Sequence, residues 1–246
     1  MKIEELQNIF EILLNNESGS DTHPFEIGAQ AFVGYCVKNH HHSHAQLFQD
    51  LYVLLRLGEK RNGFFVEFGA CDGVTLSNTF VLEKKLGWNG VLSEPWHGWH
   101  DRLKVQRNCK IETRCVWNVS GEIVKFSGIP KHPELSTVTE LVNDDFNAKD
   151  RADGQEEVEV ETISINDLLS SSSAPKEFDY LSIDTEGSEL RILNSMDFSR
   201  WKPKIITVEH NFTNQREGIH ALLTAQGYGR ELEPFSKWDD WYFRSG

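Results

Sequence analysis

Apolar runs of strand length alternate with segments of helical periodicity between residues 64 and 227. Each apolar run ends in small or acidic residues, and a helical pattern follows it. The predicted strands of this kind are 64–68, 90–94, 178–184 and 204–210, and the helices after them are 75–86, 98–107, 187–196 and 215–227. Strands that alternate with helices predict a doubly wound, mostly parallel sheet of the Rossmann-like α/β class.

The N-terminal part of the chain lacks this alternation. Apolar residues at helical spacing predict a short helix over residues 1–14, and the polar residues 15–30 favour a loop. A second helix is predicted from residue 45 to Gly58. We therefore divide the 246 residues into an N-terminal helical extension, 1–44, and one larger domain, 45–246, which is long enough to form a hydrophobic core.

The chain after residue 110 carries elements beyond the alternating core. Three more strands and a short helix are predicted at 111–117, 121–128, 158–165 and 166–171. Two strands in 228–246 are expected to form an antiparallel edge of the sheet. Residues 128–157 are polar and irregular. A loop of this length in a compact domain is usually functional, so we expect it to form part of a substrate cleft or a lid.

The charge balance narrows the choice of partners. The chain has 38 acidic and 25 basic residues, a net charge of −13, which disfavours nucleic acid and anionic membranes as partners. No segment approaches the ~20 apolar residues of a membrane span. The four cysteines form no CxxC pair. These features predict a soluble protein of the reducing cytoplasm.

Acidic residues stand at nearly every predicted strand end. In an open parallel sheet, ligands bind beyond the carboxyl ends of the strands. The tip residues are Glu67–Gly73, Glu94, Trp117, Asp184–Glu186 and Glu209–Asn211. Carboxylates repel a phosphate ligand and attract one with a cationic centre and hydroxyl groups. The tips therefore favour a cationic nucleoside over a nucleotide.

The sequence of the loop Gly69–Gly73 distinguishes between a dinucleotide and S-adenosylmethionine as the expected ligand. A dinucleotide fingerprint needs a middle glycine, and this loop has Asp72 near that place. S-adenosylmethionine has no phosphate; Glu67 and Asp72 suit its ammonium and sulfonium groups, and Glu94 suits its ribose hydroxyls. Trp117 is expected near the adenine. The predicted cofactor-binding residues are Glu67, Gly69, Ala70, Cys71, Asp72, Gly73, Ser77, Asn78, Glu94, Pro95, Trp117 and Asp184.

Two neighbouring strand ends carry the groups suited to catalysis. The predicted catalytic residues are Asp184, Glu186, Glu209 and His210. The side chain of His210 is a candidate general base. Asp184, Glu209 and His210 are also candidate ligands for Mg²⁺ or Mn²⁺. Asp239 and Asp240 are predicted to lie in a solvated turn.

Several segments together resemble the FkbM family of methyltransferases. They are "AQLFQDLYV", "FFVEFGACDG", "LSNTFVLEKKLGWNGVLSEP", "YLSIDTEGSELRIL", "VEHN" and "WDDWYF", which cover about residues 45–245 in order. The resemblance implies a seven-stranded sheet and S-adenosylmethionine as methyl donor. It also implies transfer to oxygen, with sugars or natural products as acceptors.

Two other functions remain as alternatives. A nicotinamide-dependent sugar oxidoreductase is disfavoured by the missing middle glycine and by the lack of a Tyr-x-x-x-Lys pair. A non-catalytic scaffold that binds the cofactor is disfavoured by the row of acids at the strand ends. The expected partner is a small-molecule or carbohydrate acceptor, and a homodimer is left open.

Overall fold

The computed structural model describes residues 28–145, 147–152 and 154–245, together with Gln7 and Glu11. The predicted helix over 1–14 and the loop over 15–30 therefore lie almost wholly outside the described residues. The strands are β1 Phe64–Phe68, β2 Asn89–Ser93, β3 Lys110–Glu112, β4 Cys115–Trp117, β5 Ile123–Gly128, β6 Thr137–Val138, β7 Glu156–Ser164, β8 Glu177–Ile183, β9 Lys202–Glu209, β10 Tyr228–Glu231 and β11 Asp239–Arg244.

Seven strands form the main sheet, in the order β10-β11-β9-β8-β1-β2-β3. Within this sheet the neighbouring strands β9, β8, β1, β2 and β3 pair in parallel. Strand β11 is antiparallel to both β9 and β10. The predicted seven-stranded, doubly wound sheet with an antiparallel pair at one edge is confirmed. This order places the carboxyl ends of β2, β1, β8 and β9 side by side.

The helices are α1 Ala29–Asn39, α2 Gln49–Arg56, α3 Phe80–Leu86, α4 His97–Gln106, α5 Ala148–Arg151, α6 Ile165–Ser171, α7 Glu189–Ser195, α8 Gln215–Ala225 and α9 Glu233–Ser236. Helix α3 starts five residues later than the predicted residue 75. The segment before it is held in an irregular conformation, with Leu76 at φ +61° and a bridge from Ala45 to Leu76. Helix α1 was not predicted.

Two buried clusters cover opposite faces of the main sheet. Phe65 packs with side chains of α1, α2 and α3, whereas Val66, the next residue of β1, packs with side chains of α6, α7 and α8. Side chains of successive strand residues point to opposite faces, so helices lie on both sides of the sheet. No helix within the described ranges is long and apolar enough to cross a membrane.

The predicted strand over 111–117 is two strands in two different sheets. The carboxylate of Glu112 accepts hydrogen bonds from the N–H groups of Thr113 and Arg114, both at 3.1 Å, and turns the chain out of the main sheet. Strand β4 then joins a second sheet of order β4-β7-β5-β6. The region 128–157, predicted to be irregular, contributes β6 and α5 to this layer.

Candidate active site at the carboxyl ends of the strands

One cavity lies at the carboxyl ends of β1, β2, β8 and β9, and residues 133–138 of the second layer cover part of it. Its described lining contains six acids and no Lys, Arg or His; the acids are Glu67, Glu94, Glu134, Asp184, Glu186 and Glu209. A cavity lined in this way has a negative potential and favours a cationic ligand. Five of these six acids are predicted site residues.

The Gly69–Gly73 loop approaches β8 through its backbone. Gly69 has φ +77°, and a Cβ atom there would lie 1.9 Å from the carbonyl oxygen of Asp184. Asp72 accepts hydrogen bonds from the N–H groups of Val74 at 2.9 Å and Thr75 at 2.7 Å. Asp72 therefore shapes the turn after the loop, and its side chain does not line the cavity.

The carboxylate of Glu67 holds the segment before α3. It accepts from the Asn78 N–H at 2.7 Å and from the Ser77 hydroxyl at 3.1 Å, and the Arg107 guanidinium lies 3.7 Å away. Burial raises the pKa of Glu67, and the charge of Arg107 opposes that rise. Its charge is thus offset inside the protein, which weakens the predicted role of Glu67 as a partner for an ammonium group.

Asn78 brings an unsatisfied acceptor to the cavity. Its Nδ2 donates to the Ser182 hydroxyl at 2.9 Å, while its buried Oδ1 accepts no hydrogen bond from the described residues. Asn78 lines the cavity, whereas its neighbour Ser77 does not. A buried acceptor without a donor is costly, so the amide oxygen of Asn78 is suited to a ligand N–H group.

Glu94 is buried beside the loop. Its Oε2 accepts from the Cys71 N–H and its Oε1 accepts from the Trp96 N–H, each at 2.8 Å. Burial raises the pKa of Glu94 to about 7, although both N–H groups favour the charged form. Each carboxylate oxygen has a second lone pair, so Glu94 remains able to accept from ligand hydroxyl groups.

Aromatic residues line the cavity, but the predicted Trp117 is not among them. The ring of Trp117 packs under the Arg191 guanidinium, 4.2 Å from its centre, and is not part of the cavity lining. Phe126 and Val116 line the cavity in its place. Phe126 belongs to the same buried cluster as Trp96, which lies two residues after Glu94. The apolar wall beside Glu94 is therefore formed by the second sheet, whose existence was not predicted.

Three carboxylates meet where β8 and β9 end. Asp184, Glu186 and Glu209 each place a carboxylate oxygen within 4.8 Å of the other two. Burial and the neighbouring acids raise the pKa of Asp184 and Glu209 well above the usual range. Burial also raises the pKa of Glu186 to about 8, against the effect of Arg151. We call these three residues the acidic cluster.

His210 does not join the acidic cluster. Its Nε2 lies 3.1 Å from the backbone oxygen of Asp239, and its Nδ1 accepts from the Phe212 N–H at 3.0 Å. The ring is buried, outside the cavity lining, and burial lowers its pKa. These contacts commit both ring nitrogens to backbone groups, so the geometry favours a structural role over that of a base or metal ligand.

The predicted solvated turn at Asp239 and Asp240 is wrong. Both residues are buried at the start of β11. Asp239 accepts from the Gln49 amide at 2.8 Å and pairs in the sheet with Glu209, while Asp240 binds the Arg216 guanidinium at 2.8 Å. The sequence "WDDWYF" hid this burial, because Asp239 is hydrogen-bonded and Asp240 is ion-paired by residues that are distant in sequence.

Arg151 is a site residue that the sequence did not reveal. Its side chain is fully buried and contacts Glu186 at 2.5 Å and both carboxylate oxygens of Asp145 at 2.7 and 2.9 Å. It also donates to the backbone oxygen of Leu135 at 2.9 Å. Arg151 therefore connects residues 133–138, which we call the covering segment, with Glu186 of the acidic cluster. Only the polar character of the insertion hinted at such a contact.

Comparison with known proteins places the chain in a family. The family model described as the Methyltransferase FkbM domain matches residues 67–241. The chain is similar in fold to precorrin-6y C5,15-methyltransferase from Geobacter metallireducens GS-15, with 11% identity, a TM-score of 0.41, and 74% of this chain and 71% of that chain covered. It is also similar to the fibrillarin/Nop5p complex, with 12% identity, a TM-score of 0.39, and coverage of 75% and 73%.

No curated protein gives a match to the chain. The family match covers more than half of the sequence and contains the cavity loop, Glu94 and the acidic cluster. The main sheet has the seven strands that the resemblance implied. The chain belongs to the FkbM family of methyltransferases.

Proposed function

We propose that the protein transfers a methyl group from S-adenosylmethionine to a hydroxyl oxygen of a sugar or another small molecule. The observation that carries this proposal is the order of groups along the cavity. Glu94 lies at the end of β2, the Gly69–Gly73 loop follows β1, and the acidic cluster lies at the ends of β8 and β9. A donor site and an acceptor site can therefore lie side by side in one cavity.

The residues on the β1 and β2 side fit the methyl donor. Glu94 offers acceptor oxygens for the ribose hydroxyls, and the buried Oδ1 of Asn78 suits the ammonium group. Phe126 and Pro95 offer apolar surface for the adenine. When bound, S-adenosylmethionine supplies an electrophilic methyl group on a positively charged sulfur. The excess of acids over bases in the cavity lining supports binding of such a cation.

The acidic cluster fits the deprotonation of an acceptor hydroxyl. An oxygen that attacks a methyl group must lose its proton, and carboxylates of raised pKa are stronger bases than ordinary ones. Asp184 and Glu209 are close enough to repel each other, which favours a state in which a proton or a cation lies between them. A carboxylate oxygen of the pair that stays ionised and free then accepts the proton of the acceptor.

The outer end of the cavity suits a polyhydroxyl or aromatic acceptor. A second pocket adjoins it and shares the lining residues Asn211 and Trp238. Phe212, whose side chain is 63% exposed, and Asp144 also line this second pocket. Aromatic rings pack on flat ligand faces, and acids accept hydrogen bonds from hydroxyls. The same acids disfavour a phosphorylated acceptor.

Transfer of a labelled methyl group tests the proposal. The protein is incubated with methyl-labelled S-adenosylmethionine and pools of small hydroxylated compounds, and products are analysed by mass spectrometry. We expect a labelled ether that withstands mild alkali. Labelling of nitrogen or carbon alone would contradict transfer to oxygen. Glu209→Gln should lose transfer but still bind the donor, and the exposed control Glu217→Gln should behave as wild type.

A further inference from the structure

The acidic cluster contains a buried acceptor that no group satisfies. Glu209 is 6% exposed, and its Oε2 accepts no hydrogen bond from the described part of the chain. Glu209 lines the cavity, and Asp184 and Glu186 each place a carboxylate oxygen within 4.8 Å of a carboxylate oxygen of Glu209. A buried carboxylate that has an unsatisfied oxygen and lies beside two further carboxylates is unfavourable unless a proton or a cation joins them.

Further acids behind the cluster increase the excess of negative charge. Glu189 accepts from the Thr185 N–H at 2.9 Å and from the Gly187 N–H at 3.0 Å, and Asp239 accepts from Gln49. Both acids are buried, and Asp239 is the sheet partner of Glu209. The hydrogen bonds to Glu189 and Asp239 come from neutral groups, so they add no positive charge.

Arg151 offsets only part of this charge. Its guanidinium contacts Oε2 of Glu186, but it also makes a two-point contact with Asp145. One guanidinium thus serves two carboxylates. It fixes Glu186 through a single oxygen and leaves the other oxygen of that carboxylate for another partner. Asp184 and Glu209 receive no part of this contact.

We propose that Asp184, Glu186 and Glu209 form a binding site for a hard divalent cation such as Mg²⁺ or Mn²⁺. Three carboxylates from two adjacent strand ends offer the oxygen ligands that these ions select. The three oxygens lie within 4.8 Å of one another, and a cation between them would give a partner to Glu209, whose Oε2 accepts no hydrogen bond from the described residues. The site uses Glu186 in place of His210, whose ring is held by backbone groups.

The role of the cation rests on the proposed function. A divalent cation beside the acceptor hydroxyl binds its oxygen and lowers its pKa, which eases loss of the proton to a free carboxylate oxygen. It would also hold the oxygen in line with the methyl group. Binding of the cation itself does not depend on that reaction, so the two claims are separable.

Titration with Mn²⁺ in the absence of donor and acceptor tests the site. Free Mn²⁺ is followed by electron paramagnetic resonance, and folding of each variant is checked by circular dichroism. We expect one Mn²⁺ per chain, and an affinity at least about tenfold weaker in Glu209→Gln and in Asp184→Asn. The control Glu217→Gln changes an exposed acid that does not line the cavity, and it should bind as wild type.

Three outcomes would overturn the cation site. One is an absence of Mn²⁺ binding to a wild-type protein that binds S-adenosylhomocysteine. Another is wild-type Mn²⁺ affinity in both cluster variants. The third is mutually exclusive binding of Mn²⁺ and S-adenosylhomocysteine, which would assign the cluster to the ammonium group of the donor. Each leaves the methyl transfer function standing, because donor binding and transfer are measured independently.

Discussion

Gly69 and Asp184 touch through their backbones: a Cβ atom on Gly69 would lie 1.9 Å from the carbonyl oxygen of Asp184. The contact joins the loop after β1 to the tip of β8, and so connects the expected donor site with the acidic cluster. Gly69 also has φ +77°, a conformation that is costly for residues with a side chain. Glycine is thus required at this position on two counts.

Gly69→Ala should therefore destabilise the protein by more than backbone strain alone. The matched control is Gly121→Ala. Gly121 also has a positive φ, +82°, but a Cβ atom on this residue would have no other atom within 4 Å. We expect a loss of about 1–2 kcal/mol for the control. Urea denaturation should show at least twice that loss for Gly69→Ala, together with loss of S-adenosylhomocysteine binding. Equal losses in the two variants would show that the contact is unimportant.

The sequence predicts the strand ends of this site well, for a physical reason. Buried apolar runs that end in glycine or acid fix where β1, β2, β8 and β9 stop, and the parallel order then brings Glu94, Asp184 and Glu209 to one edge. It predicts poorly what each acid contacts. Glu67 and Asp72 bind nearby N–H and hydroxyl groups, which no periodicity reveals.

Long-range partners explain the remaining errors. Arg151 reaches the acidic cluster from an insertion whose own sequence is polar and irregular. Asp240 is buried because Arg216 and Arg230 surround it, and these residues lie on other elements. Neither of these contacts is encoded in the local pattern of residues. A further error has a local cause, because Glu112 ends β3 by binding the next two N–H groups, so one predicted strand becomes two.

Affinity for S-adenosylhomocysteine should rise with pH through neutrality. The folded-state pKa of Glu94 is about 7, raised by burial, so the carboxyl is increasingly protonated below that pH. A protonated carboxyl loses acceptor capacity for the ribose hydroxyls, so affinity is full above about pH 7 and falls as the pH decreases. Calorimetry from pH 5.5 to 8.5 checks this, because that range extends roughly one to two pH units to either side of the pKa of Glu94.

The matched variant for this pH effect is Glu94→Gln. Glutamine keeps the size and one acceptor oxygen but does not titrate, so binding should be weaker at pH 8 by about 1.5–3 kcal/mol, the usual worth of a hydrogen bond to a charged group. Its affinity should also be nearly independent of pH. A pH dependence that persists in Glu94→Gln would assign the effect to another group.

Replacement of His210 should affect catalysis less than replacement of Glu209. Both ring nitrogens of His210 contact backbone groups, so His210→Gln should lower kcat less than tenfold and leave the shape of its pH profile unchanged. Loss of a general base typically costs ~10²–10⁴-fold, which we expect for Glu209→Gln. Steady-state kinetics with a saturating donor compares the two. A loss of that size in His210→Gln, with normal folding, would restore His210 as the base.

Replacement of Arg151 should weaken acceptor binding more than donor binding. Arg151→Met removes the hydrogen bond to the backbone oxygen of Leu135 in the covering segment and the ion pairs with Glu186 and Asp145. We therefore expect faster hydrogen exchange in residues 129–152. The KM for the acceptor should rise several-fold while S-adenosylhomocysteine affinity stays nearly constant. Lys125→Met is the control, because it breaks an exposed ion pair with Glu157. Equal changes in the two variants would argue against a fastening role for Arg151.

The crystal structure of the complex with S-adenosylhomocysteine is the most direct test of the account. We predict that the ribose hydroxyls donate to Glu94 at ordinary hydrogen-bond distances of about 2.5–3.0 Å. The sulfur should face Asp184 and Glu209, with the adenine against Phe126. A ligand bound outside this cavity, or with its ribose away from Glu94, would contradict the proposed donor site and the order of donor and acceptor along the sheet edge.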